Sequence, residues 1–288
     1  MWCKRNLRST PGLLALLVLF LSALACDLPI GIPGVPTSPP EPTVYVPTTP
    51  PEPTTEPQPT NTPTPDVIYQ GTSFSYDASL AANVRAETVP MEEDQYDMPW
   101  LPVPEHVEFV FEGYILPETF HEPRIYVYPV GEFEVSNPDA AQVIAGLRQF
   151  LADRPAAAPS GIPFLPMFNA GQMLRSHIGY IDFQDGTGVR FLTQYSQAAI
   201  PINNDELFYT FQGLTHNGEY YVAAILPVSN AILPPDGSII PGGDPEGFAS
   251  NFESYLQDMK QQLDAQPPSS FAPELSLLDA VIQSLHVE

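Results

Sequence analysis

The sequence predicts an α+β domain whose mainly antiparallel sheet is covered by helices, an α/β/α-like sandwich following a disordered linker. Three observations predict it. Residues 177–228 read as four short strands, with Asp185-Gly186 and Asn217-Gly218 between apolar runs, a strong hairpin signal. Several of these strands are apolar at positions of both parities, as at Phe191 and Leu192 or Val222 and Ile225. A sheet with one wet face would alternate more cleanly, so cover is expected on both faces. One helical segment precedes the four strands and two follow, which is an α+β order and not β-α alternation.

At the N-terminus, Lys4, Arg5 and Arg8 precede the uncharged run LLALLVLFLSALA, Leu13 to Ala25. A transmembrane helix needs about 20 apolar residues, and this run is shorter. Its length and flanks fit a cleaved secretory signal, residues 1–25. The stretch SALAC, ending at Cys26, resembles the lipobox of bacterial lipoproteins. That resemblance implies cleavage before Cys26, a diacylglycerol on its thiol, and a chain anchored at the cell membrane on its extracytoplasmic side. The sequence departs from the family pattern at Ala23, where leucine is usual, and at Leu24, where a smaller residue is commoner. An ordinary secretory signal ending near a cysteine is the alternative. With two or more acyl chains the anchoring would be stable. Cys3 would leave with the leader, so the mature domain would hold no disulfide and no thiolate metal site.

Residues 26–65 are dominated by proline, threonine and glutamate, as in PTSPPEPTVYVPTTPPEPTTEPQPTNTPTPD. Proline fixes φ and lacks an N–H, so neither helix nor sheet propagates. Few apolar groups remain to offset the entropy of ordering. An extended, disordered linker at ~3.1 Å per residue is predicted, with an upper reach of about 120 Å. Such segments also serve as ligands of aromatic grooves or carry O-glycans.

Residues 66–288 read as one globular domain. Phe74 and Tyr76, then Val84, Ala86 and Thr88, alternate with polar residues as strands do. A loop rich in proline and acid spans 92–105. Val107, Phe109 and Phe111 share one face of the next strand, opposite Glu108 and Glu112. Ile125 and Val127 share a face of the strand after it, opposite Tyr126 and Tyr128. The period then changes. Asn137 is placed to cap a helix with Pro138 at its first position, and Val143, Ile144, Leu147, Phe150 and Leu151 recur at helical spacing up to Arg154-Pro155. NAGQMLRS, 169–176, reads as a short helix. After the four strands, a long helix starts with Asp244 as cap and Pro245 following, with Phe248, Phe252, Tyr255, Leu256, Met259 and Leu263 as its apolar stripe. The last helix carries Leu275, Leu278, Ile282 and Leu285. This order of elements resembles PsbP-like domains, whose antiparallel sheet lies between helices; the resemblance of layout implies, as a third reading, an assembly or photosystem-type accessory role.

The chain holds 10 basic and 34 acidic residues, a net charge of −24. Without Lys4, Arg5 and Arg8, seven basic residues stand against all 34 acids, leaving −27. Such a chain repels nucleic acid and anionic lipid, so neither is expected as a partner. No G-x-S-x-G, H-E-x-x-H or glycine-rich phosphate loop occurs. The five histidines are not spaced as ligands, and DFQDGTG and PPDGSIIPGGDPEG lack the alternating oxygens of an EF-hand loop. No metal or cofactor is expected.

Two functions from different classes follow. The first is a non-catalytic binding or interaction domain for a protein, a glycan or a small molecule. The second is an extracytoplasmic hydrolase using a carboxylate pair such as Glu92/Glu93 or Asp94/Asp97. One feature favours a ligand. Arg190 and Gln194 share a face of one central strand, and Thr210 and Gln212 share a face of the next. They read either as a polar pocket for an anionic or polar ligand, or as groups neutralised within the fold.

Overall fold

The structure is a computed structural model that describes residues 64–94, 98–158 and 160–288. The leader, Cys26, nearly all of the proline-rich linker and Asp97 lie outside the described residues. No helix among the described residues is long and apolar enough to cross a membrane.

The chain enters through a hairpin, β1 (Val67–Tyr69) and β2 (Thr72–Phe74), then forms β3 (Asn83–Val89), β4 (His106–Glu112) and β5 (Arg124–Pro129). Helices α1 (Val130–Ser136) and α2 (Pro138–Asp153) follow. Next come β6 (Gly171–Gln172), β7 (Ser176–Phe183), β8 (Gly186–Thr193), β9 (Tyr195–Ser196), β10 (Phe208–Thr215), β11 (Tyr220–Pro227) and β12 (Ser229–Asn230). The chain ends with α3 (Pro245–Ser250), α4 (Phe252–Asp264), β13 (Phe271–Ala272), α5 (Leu275–Ser284) and β14 (His286–Val287).

Seven strands form the main sheet in the order β3-β4-β5-β11-β10-β8-β7. Every neighbouring pair is antiparallel. The predicted α+β sandwich is therefore the observed one, and the predicted four-strand meander is β7-β8-β10-β11. One face carries Phe109, Ile125, Leu192, Tyr209, Phe211 and Val222 against α4 and α5. The other carries Tyr128, Val189, Phe191, Phe208 and Tyr221 against α1, α2 and the 158–165 loop. Strands β10 and β11 lie between both layers, which is why their sequences are apolar at consecutive positions.

Four local expectations need correction. The segment 169–176 is not helical: Gly171–Gln172 pairs with Tyr195–Ser196, and the Gln172 amide holds both Ile162 backbone groups and donates to the Tyr195 hydroxyl. That tertiary pairing outweighs a weak local preference, since glycine is a poor helix former. Helix α1 was not foreseen, because no side chain caps it at Pro129. Asn137 closes α1 through its N–H to Phe133 O, and its side chain caps α2 by accepting from Asp139 N and Ala140 N. The long C-terminal helix is interrupted at Asn251 into α3 and α4. Finally, the β7–β8 turn is Gln184-Asp185 and not Asp185-Gly186. Gly186 stays in the strand, where a Cβ would lie 2.2 Å from Leu214 O. Asn217-Gly218 does turn β10 into β11, with Gly218 at φ +75°.

Covering both faces buries charge. Glu108, on the second face of β4, is 6% exposed. It accepts from Arg124 at 2.5 Å and lies 3.2 Å from His106 Nε2. Burial pushes its carboxyl up, but the His106 hydrogen bond and the Arg124 charge outweigh that and hold it below its ordinary value. A depressed folded value means stabilisation present above the unfolded value and lost as pH falls through the folded one. Glu108→Gln should therefore cost about 2 kcal/mol at pH 7 and shrink the stability difference from wild type below about pH 4, measured by urea unfolding. At the C-terminus the sign reverses. The His286 imidazole is held above its ordinary value, first by Glu288, against the opposing effect of burial, and also by Asp185. Its contribution is complete below about pH 6.5 and fades as pH rises through the higher folded value. The protection factor of the Val287 amide, whose N–H donates to Asp185, should fall across that range after the intrinsic pH dependence of exchange is divided out, and His286→Ala should abolish that fall.

Candidate functional site

Of the four residues singled out in the central strands, Thr210 and Gln212 meet, but Arg190 lies on the opposite face of the sheet. Arg190 pairs with Phe211 across β8 and β10, whereas Thr210 pairs with Phe191 and Gln212 with Val189. Directly opposed residues share a face, so Arg190 points to the α4/α5 layer and Thr210 and Gln212 to the α1/α2 layer. The register by itself divides the expected patch.

Each residue also has a partner within the fold, with Arg190 Nε alone left without a hydrogen bond. Gln212 accepts from Leu165 N (2.9 Å) and the Tyr221 hydroxyl (2.5 Å), and donates to Leu165 O and Thr210 Oγ1. Gln194 accepts from Asn203 N and donates to Pro201 O. Arg190 donates to His177 O at 2.7 Å, and its Nε lies 3.3 Å from Asp279 Oδ1, at ion-pair distance without hydrogen-bond alignment. The guanidinium lies over Gly179, where a Cβ would sit 3.2 Å from Nε. Asp279 also accepts from the Tyr209 hydroxyl at 2.9 Å. Burial raises its carboxyl above the ordinary range, and Arg190 pulls it part of the way back. These contacts act as struts between sheet and cover.

His106, His177 and His286 hydrogen-bond within the fold, and His216 is exposed. His121 packs among Phe120, Phe168 and Phe208, its Nε2 has no hydrogen-bond partner, and burial pushes its pKa down to about 4. It is neutral near pH 7. Among the described residues no group of three His, Cys, Asp or Glu could hold a metal ion.

One basic residue stands apart. Arg85, Arg124, Arg148, Arg154, Arg190 and Lys260 each pair with a carboxylate. Arg175 has none among the described residues. Its Nη1 donates to Gln172 O at 3.1 Å, and Gln172 in turn donates to the Tyr195 hydroxyl. The side chain is half-buried, and burial lowers its pKa, with a small opposing effect of Tyr195. An incompletely neutralised cation taken partly out of water is a cost that the fold itself does not offset.

Arg175 lines an open cleft of about 380 Å³ between α4, the loop after α2 and the segment that joins β6 to β7. Six of its ten lining residues are apolar: Ala157, Ala158, Met173, Leu174, Ile178 and Leu256. Glu253, Leu256, Gln257 and Lys260 line it from α4 at spacings of three and four, one face of the helix. A volume above about 300 Å³ with few convergent polar groups fits a small-ligand site. Sequence reasoning missed this cleft because the α4 stripe is half polar and Arg175 fell in the segment read as a helix. A signal was present: no Asp or Glu lies between Asp153 and Asp182 in a chain with 34 of them.

The carboxylates weighed for hydrolysis lie elsewhere. Glu92 and Glu93 are exposed, the Glu92 backbone bridges to Val103, and Asp94 accepts from Met98 N. None of the three lines this cleft or the larger one beside Phe164, Phe168 and Tyr195.

Compared with known proteins, the chain matches no family model, no curated protein and no solved structure. Element order is therefore the whole ground for the likeness to PsbP-like domains.

Arg190→Ala leaves Asp279 buried without its cation and should cost about 2–3 kcal/mol in chemical unfolding. Binding at the Arg175 cleft should change less than twofold in the same variant, because Arg190 is not among the residues that line it.

Proposed function

We propose that this chain is a lipid-anchored extracytoplasmic domain that binds a ligand without transforming it, and that the Arg175 cleft is its binding surface. The observation that carries the reading is Arg175 itself, the one described basic side chain with no carboxylate partner, set in an open and mostly apolar cleft. A stability role would place such a cation against an acid, as in all six other cases.

The anchoring part rests on the SALAC stretch at Cys26 and the proline-rich segment after it. The charge gives that segment a physical purpose. A domain this acidic is repelled by anionic headgroups, and the repulsion decays over a Debye length of about 8–10 Å. A linker with an upper reach of about 120 Å lets the domain sit well beyond that range while remaining tethered. The absence of an arranged carboxylate pair at the cleft favours binding over hydrolysis.

Mass spectrometry of the mature N-terminus should find Cys26 as the first residue, bearing a diacylglyceryl thioether. Detergent-phase partitioning should place the wild type with lipid and Cys26→Ala in the aqueous phase. An unmodified Cys26 would contradict the anchoring.

A further inference from the structure

Resting on the reading of the Arg175 cleft as a binding surface, we infer that its ligand is an amphiphilic monoanion, a carboxylate on an unbranched apolar chain. The apolar lining of Met173, Leu174, Ile178 and Leu256 calls for a hydrocarbon body. Arg175 calls for a negative head, and a guanidinium recognises a planar carboxylate through paired N–H groups. Only its Nη1 is engaged, by Gln172 O, leaving other N–H groups for a ligand. Lys260 adds a second positive group on the same lining, although Asp264 already takes part of its charge.

The surroundings exclude neighbouring chemistries. Residues 154–181 contain no carboxylate, so Glu253 on α4 is the one carboxylate among the lining residues. A dianion such as a phosphate monoester gains less here than a monoanion, since Glu253 also lines the cleft and the net charge opposes it. A peptide would bring backbone N–H and C=O groups that a lining with six apolar members out of ten leaves unmet. An anionic bilayer surface is disfavoured by the net charge, so the ligand is a free molecule and not a headgroup in a membrane.

The test uses the full chain in zwitterionic nanodiscs, with empty nanodiscs as blank. Dodecanoate, octanoate, acetate and dodecyltrimethylammonium are titrated while the methyl signals of Met173 and Ile178 are followed by NMR. Dodecanoate should move both methyls and bind at least about tenfold more tightly than dodecyltrimethylammonium. Affinity should rise by up to about fourfold per methylene from octanoate to dodecanoate, and acetate should leave the methyls unmoved. Arg175→Met should lower dodecanoate affinity at least about tenfold, and Arg175→Lys, which keeps the charge but not the paired N–H groups, should fall between Arg175→Met and wild type. If the cationic amphiphile binds as well as dodecanoate, or Arg175→Met has no effect, the ligand class is wrong while the cleft remains a binding surface. If no amphiphile moves the two methyls, the binding reading fails with it.

Discussion

A single carboxylate fixes the geometry on which the cleft depends. Asp264, the last residue of α4, accepts from the Ser176 hydroxyl at 2.8 Å and from His177 N at 2.7 Å through one oxygen. Its other oxygen takes Lys260, one helical turn earlier. Burial raises this carboxyl, but the three donors outweigh it and hold it below its ordinary value. The strand side of the clamp is unusual in shape: β7 is irregular between Ser176 and Gly179, and His177 adopts φ +52°. That bulge turns the His177 N–H to Asp264 and its C=O to Arg190, while His177 Nε2 donates to Leu263 O. One irregular residue thus reaches the end of α4 by two contacts and ties back to β8 by a third. Arg175 is the residue next to the clamp in sequence, and α4 forms the opposite wall.

The same logic runs through both interior layers. A sheet covered on both sides has no water for its polar groups, so each needs a partner within the fold. Gln212 meets this with four partners, Gln194 with Asn203 and Pro201, Glu108 with His106 and Arg124, and Arg190 with His177 and Asp279. Against that pattern a half-buried arginine tied to one carbonyl stands out. Closed networks hold the layers together, and under the binding proposal a ligand completes the set at Arg175.

Much of the architecture was legible in residue order. Alternation and Asx-Gly pairs located the strands, apolar runs of both parities located the doubly covered ones, and Asn137-Pro138 and Asp244-Pro245 located two helix starts. Register was less legible. Gly186 looks like a turn residue in sequence, yet it is glycine because Leu214 O and the Phe183 ring approach too closely for a Cβ. The candidate site was legible only in kind. Scarcity of basic residues did point to an arginine, but Arg190 is neutralised by Asp279, which lies 89 positions away in α5. Sequence distance hides such a partner, just as it hides the absence of one at Arg175.

The most direct measurement is hydrogen–deuterium exchange on Asp264→Asn, read alongside dodecanoate binding. If the Asp264 clamp sets the cleft, amides of α4 and of residues 176–179 should exchange faster, those of α2, β10 and β11 should keep their protection, and dodecanoate affinity should fall although Arg175 is intact. Unchanged protection across α4 with unchanged affinity would contradict the account.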